Sequence, residues 1–174
     1  MKKGPYEVTE STHIYGNPWI TVREDKVIRT DGTNGVFGVV DYAQGAHIMA
    51  LDTQGKVILI KEYMYAIERD DIMFPTGGVD SGESPLDAAK RELLEEVGYE
   101  SDEWTELGEL NPLSMVIKCT SFLFLAKNCR KVSQGEDTIE PLTKSIQEVE
   151  QMIEDGTISL AGSVCAFFKA KKHL

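Results

Sequence analysis

Residues Gly77–Tyr99 read GGVDSGESPLDAAKRELLEEVGY, a glycine turn running into one helix loaded with carboxylates. Ser84 stands where an N-cap belongs and Pro85 at the first helical position, with Asp87 three residues past the cap. Gly98 is a helix terminator at C′. At about 100° per residue, Leu86, Ala89, Leu93 and Val97 share one arc and should face a core. Glu92, Glu95 and Glu96 share another arc. Carboxylates at i, i+3 and i+4 repel and weaken an isolated helix. A bound cation would remove that penalty, and oxygen-only donors suit Mg²⁺, Mn²⁺ or Ca²⁺ rather than zinc. For the three acids alone, a solvated acidic face is the plain alternative.

The wider spacing separates these readings. Gly77, Glu83, Arg91-Glu92-Leu93, Glu95-Glu96, Gly98 and the bulky Tyr99 occupy every fixed position of a Nudix box, so the chain resembles the Nudix hydrolases. The resemblance implies hydrolysis of a nucleoside diphosphate linked to another moiety, with Mg²⁺ or Mn²⁺. It implies Glu92, Glu95 and Glu96 as metal ligands, with the backbone carbonyl of Thr76 or Gly77 completing the shell. It also implies that Arg91 pairs with Glu83 and orients the carboxylates, although an arginine there could instead touch phosphate. In relatives that cleave nucleotide sugars, a loop glutamate activates water. The matching stretch is Gly135-Glu136-Asp137-Thr138-Ile139-Glu140, where Glu136 is the expected base, with Asp137 and Glu140 as alternatives.

Upstream, residues 1 to about 18 are polar with Gly4, Pro5, Gly16 and Pro18, and read as irregular at first. Trp19 to Arg29 alternates around Glu24-Asp25 and reads as a β-hairpin; Asp31-Gly32 is a turn, and Gly35–Tyr42 a further strand. Gln44-Gly45 marks a weak boundary, giving an N-terminal β extension over 1–45 and a main domain over 46–174. Ala46–Leu51 and Lys56–Tyr63 are strands, and the unbroken apolar run Val57-Ile58-Leu59-Ile60 suits burial on both faces. Ile72-Met73-Phe74 leads as a short strand into the glycine turn.

Downstream, Trp104–Leu110, Met115–Ile117 and Thr120–Ala126 are strand candidates, and Lys127–Asp137 reads as a loop. Ile139–Lys144 reads as an edge strand because it contains Pro141. Ser145 and Glu148 form a capping box for a helix that ends at Gly156, and a last helix spans about 160–171. Strands surround a few helices without regular βαβ alternation. This is an α/β chain with a mixed sheet and helices on both faces; the resemblance implies an α/β/α sandwich, preceded here by a small antiparallel N-terminal sheet.

Beyond the box, Trp19, Gly55–Ile60, Glu62-Tyr63 and Phe74–Gly78 resemble the ADP-ribose and nucleotide-sugar pyrophosphatase branch. That branch implies a homodimer built through residues 19–42. Two features depart from it: Tyr63 is followed by Met64 rather than Arg, and Pro112 keeps its turn without the usual glycine. GDP-mannose, other nucleotide sugars and dinucleoside polyphosphates therefore stand beside ADP-ribose as substrates. Action on RNA 5′ ends and a non-catalytic nucleotide-binding module are the alternatives from other classes.

The net charge of −11 over 174 residues gives no general attraction to nucleic acid or anionic membrane. The three cysteines lack CxxC spacing and the three histidines are scattered, which argues against a zinc site or disulfide framework. MKKGPYEVTE has no apolar run of a signal peptide. These features give the expectation of a cytoplasmic protein.

Overall fold

The run Val57–Ile60 is fully buried and divides between two cores. Ile58 and Ile60 point to one face of a sheet and Val57 and Leu59 to the other, as the period of two requires. This description rests on a computed structural model covering residues 1–174.

In chain order the strands before the first helix are β1 (Lys2–Lys3), β2 (Tyr6–Gly16), β3 (Ile20–Ile28), β4 (Asn34–Tyr42), β5 (Gly45–Asp52), β6 (Val57–Met64), β7 (Arg69–Met73) and β8 (Thr76–Gly78). Helix α1 (Pro85–Val97) follows, then β9 (Tyr99–Glu100), β10 (Glu103–Leu110), β11 (Ile117–Lys118), β12 (Ser121–Lys131) and β13 (Glu140–Lys144). The chain closes with α2 (Ile146–Glu154) and α3 (Ala161–Ala170). No helix is long and apolar enough to cross a membrane.

Two compact units form: residues 1–43 with 111–120, and residues 44–110 with 121–174. The first is a five-stranded sheet in the order β1-β2-β3-β4-β11, antiparallel except for the β11–β4 pair. The expected irregular N-terminus is instead a strand of 11 residues, β2, registered against β3. Its side chains are mostly exposed on both faces, so no alternation of apolar residues marked it. The turn expected at Glu24-Asp25 is also absent, because β3 runs through it. Asp25 is 3% exposed and pays for its burial with partners. Lys3 and Ser11 approach at 2.7 and 2.6 Å, and they hold its carboxyl down at about 2. Of the expected strand Met115–Ile117, only Ile117 is extended, and it pairs with Val40.

The second unit is a mixed sheet with the main path β10-β12-β5-β6-β13. β12 and β5 are parallel and the other pairs are antiparallel. On one face, Ala89, Leu93 and Val97 of α1 pack on Ala46, Ile48, Ala50, Ile58 and Ile60. On the other, Val149 of α2 and Ala166, Phe167 and Ala170 of α3 pack with Met49, Leu51, Val57 and Leu59. Helices thus cover both faces. Helix α2 begins with the expected reciprocal box between Ser145 and Glu148. β13 is a sheet edge and tolerates Pro141 opposite Ile60. β12 extends through Lys131, into the stretch read as a loop, because Arg130 and Lys131 pair with Glu100 and Tyr99.

Candidate active site

The site grows from the way α1 is fixed at both ends. The Ser84 hydroxyl accepts the Asp87 amide at 3.1 Å, and Gly98 closes the helix in the left-handed region at φ 71°. With one face of α1 committed to the core, Glu96 lies at the core margin and is only 6% exposed. Glu92 is 14% exposed in its side chain, and Glu95 is half exposed.

Arg91 organises this arc. Its Nε and Nη2 donate to the two Glu83 oxygens, both at 3.0 Å, in a bidentate pair. Nη1 donates to Glu92 at 2.7 Å and to Glu95 at 3.0 Å, and Nη2 also donates to the Gly78 carbonyl at 2.9 Å. A guanidinium has five N–H groups, and each has a protein acceptor here. Arg91 therefore holds carboxylates and has no donor to spare for a phosphate in this arrangement. Beside it, the Glu83 carboxyl is held below its usual range by Arg91 and by the Asp80 amide.

β8 supplies the opposite wall. The Thr76 amide donates to Glu96 Oε2 at 3.0 Å, while the Thr76 hydroxyl donates to the Ala46 carbonyl at 2.7 Å. Gly77 lies flush against Glu92: a Cβ there would fall 2.0 Å from the carboxylate carbon. A side chain there would displace the Glu92 carboxylate from this position.

Burial pushes the Glu96 carboxyl up to about 9, against the Thr76 amide, with Glu92, Glu62 and Glu136 adding to the rise. The Glu92 carboxyl is also raised by burial, opposed by Arg91, with Glu95 and Glu136 adding to the rise. Glu136 thus bears on both Glu92 and Glu96. Its amide donates to the Glu96 carbonyl at 3.2 Å, which brings the loop to the helix. Glu140 turns away to Lys61 at 3.6 Å. Glu62 is the member that the sequence reading did not assign to the site. The signal was present: Ile58 and Ile60 face the α1 core and Met64 packs against it, so Glu62 falls on the same face by alternation.

No three acidic, His or Cys side chains converge here as a ready ligand set, because Arg91 draws Glu92 and Glu95 and the Thr76 amide engages Glu96. The donor set nevertheless fits a hard divalent cation. Glu92 raises the buried Glu96, three more acids (Glu62, Glu95 and Glu136) bear on one or both of them, and the Arg91 guanidinium offsets charge only at Glu92. Glu92 and Glu96 are the less exposed carboxylates that such an ion would meet, and Glu95 is the most solvated of the three.

The residues match the NUDIX domain over 41–154 and the nucleoside diphosphate sugar hydrolase N-terminal domain over 6–40. The chain belongs to the Nudix family. It is 31% identical over 121 residues to ADP compounds hydrolase NudE of Escherichia coli (strain K12), covering 68% of this chain and 65% of that protein. It is 32% identical over 107 residues to ADP-ribose pyrophosphatase of Bacillus subtilis (strain 168), covering 62% and 58%. Both alignments span less than two thirds of the relative's length. A crystal structure of an ADP compounds hydrolase superposes with a TM-score of 0.88 at 22% identity, covering 100% of this chain and 96% of that one, which establishes the shared fold.

The elevated Glu96 carboxyl has a consequence for stability. Its folded value of about 9 lies above the ordinary 4.5, so its contribution is full below the ordinary value and is lost as pH rises toward the folded one. The loss is at most about 1.4 kcal/mol per pH unit, or roughly 3–6 °C in Tm. In EDTA, thermal melts of the wild type should fall between about pH 6 and pH 8. Glu96→Gln keeps an acceptor for Thr76 and should flatten that fall. An equal fall in both proteins would contradict the assignment.

Proposed function

We propose that the protein hydrolyses the pyrophosphate bond of a nucleoside diphosphate compound. ADP-ribose and related nucleotide sugars are the substrate class, and Mg²⁺ or Mn²⁺ is the cofactor. The observation that carries this reading is the placement of Glu92 against Gly77 and of Glu96 on the Thr76 amide, with the Glu136 loop seated on the Glu96 carbonyl. The names of the two relatives, ADP compounds hydrolase and ADP-ribose pyrophosphatase, support the substrate class.

In this reading Glu92 and Glu96 hold the ion, with Glu95 and the backbone carbonyl of Thr76 or Gly77 available to it. The bound ion supplies charge neutralisation for the phosphates and lowers the pKa of water. Glu136 takes the proton from the attacking water. As the water oxygen bonds to phosphorus, the bridging P–O bond of the anhydride breaks. The products are a nucleoside monophosphate and a sugar phosphate. Arg91 and Glu83 are positioning residues that fix the direction of the Glu92 and Glu95 carboxylates.

We assign the residues 19–42 of the N-terminal unit to homodimer formation. The matched N-terminal domain and the exposed Trp19, Val36 and Tyr42 support this.

Phosphate release with a coupled phosphatase, run on ADP-ribose, GDP-mannose, UDP-glucose and a dinucleoside polyphosphate, tests the activity. Turnover of a nucleotide sugar that EDTA abolishes is expected. No turnover on any of them, with thermal stabilisation by one, would replace the enzyme with a binding module. On the active substrate, Glu136→Gln should lower kcat by about 10²–10⁴; a loss under about twofold would move the base elsewhere. Sedimentation tests the assembly: Val36→Asp should convert a dimer to a folded monomer, and an unchanged dimer would exclude this strand face.

A further inference from the structure

The segment that carries Glu136 runs as a backbone rail along the end of α1. Arg130 pairs with Glu100 and Lys131 with Tyr99. The Val132 and Ser133 amides then both donate to the Gly98 carbonyl, at 2.9 and 3.2 Å. Three residues after Ser133, the Glu136 amide donates to the Glu96 carbonyl, one of the carbonyls that a helix end leaves without an internal partner. Beyond Glu136, Ile139 is buried in the core under α1, and its amide donates to the Glu136 carbonyl at 3.2 Å. Glu136 therefore sits between two anchors, with exposed Asp137 and Thr138 between it and the second.

Two glycines make the rail possible. A Cβ on Gly135 would lie 2.1 Å from the Glu96 carbonyl oxygen and 2.8 Å from the Val97 Cα. A Cβ on Gly98 would lie 2.1 Å from the Ser133 carbonyl oxygen. The obstructing atoms are backbone on both sides, so neither can yield by changing a rotamer. Gly135 has no left-handed φ; close approach alone demands glycine there.

We propose that Gly135 is a positioning residue for the reaction: its missing side chain lets the loop seat on the last turn of α1, and that seat sets where the Glu136 carboxylate stands relative to Glu92 and Glu96. Any side chain at 135 lifts the loop, and displacement of a catalytic group by about 1 Å costs on the order of 10²-fold in rate. The catalytic consequence rests on the proposed role of Glu136. The seat itself does not.

The test has one arm for each. In ¹⁵N-labelled full chain, the Glu136 amide should be protected from hydrogen exchange. Added Mn²⁺ should broaden its resonance together with that of Thr76. Gly135→Ala should expose the Glu136 amide to exchange, while Thr76 stays broadened by Mn²⁺. A Glu136 amide unprotected in the wild type overturns the proposal without any variant. In turnover of ADP-ribose with Mg²⁺, Gly135→Ala should lower kcat about 10²-fold with little change in KM. Added to Glu136→Gln, it should cost no further rate, because it acts only through Glu136. Full activity in Gly135→Ala, or a loss that multiplies with that of Glu136→Gln, overturns the proposal. If the seat is found but the wild type turns over none of the nucleotides, the pyrophosphatase reading fails and the seat stands.

Discussion

The second unit is arranged around the burial of a carboxylate. Glu96 occupies a helix position whose neighbours Leu93 and Val97 are committed to the core, so its carboxyl is removed from water by the packing of α1. Burying an ionised group without compensation is costly, and here three other acids bear on it or on its neighbour Glu92. A fold selected for stability alone would place an apolar residue there. Retaining the acid is consistent with a site that takes a cation, and the surrounding elements serve it. β8 presents an amide to Glu96, Gly77 makes room for Glu92, and Arg91 neutralises part of the arc.

Arg91 separates structural from chemical labour. With every N–H donor engaged by protein oxygens, it fixes carboxylate directions and joins the turn at Gly78 to the helix. It does so at partial exposure, where a single ion pair adds little to stability. The bidentate geometry to Glu83 is what gives it directional value. The loop that carries Glu136 is positioned by different means, through backbone contacts along the end of α1 that no side-chain charge controls.

Local chemistry in the sequence was enough to read α1. Ser84-Pro85 and Gly98 mark its ends, and the structure begins and ends the helix between them. The run Val57–Ile60 was legible for the same reason, since an unbroken apolar strand has few places to go but between two layers. What stayed hidden depends on partners far along the chain. Asp25 looks like a turn residue until Lys3 and Ser11 are brought beside it. β2 exposes both faces and so carries no periodic signal. Glu62 belongs to the carboxylate cluster by the alternation of β6, but it was read only as part of a resemblance. The contact of Gly135 with Glu96 joins residues in different elements, and no spacing rule within either element announces it.

The central claim is that Glu92 and Glu96 form the seat of a divalent cation held in place by Arg91 and β8. The most direct measurement is a crystal structure of the full chain grown with Mn²⁺, with the ion located by its anomalous signal. The account predicts a peak bonded to carboxylate oxygens of Glu92 and Glu96 beside Thr76 and Gly77, with Arg91 still paired to Glu83. A peak bound elsewhere, or an empty cluster in a crystal whose protein turns over substrate with Mn²⁺, would contradict it.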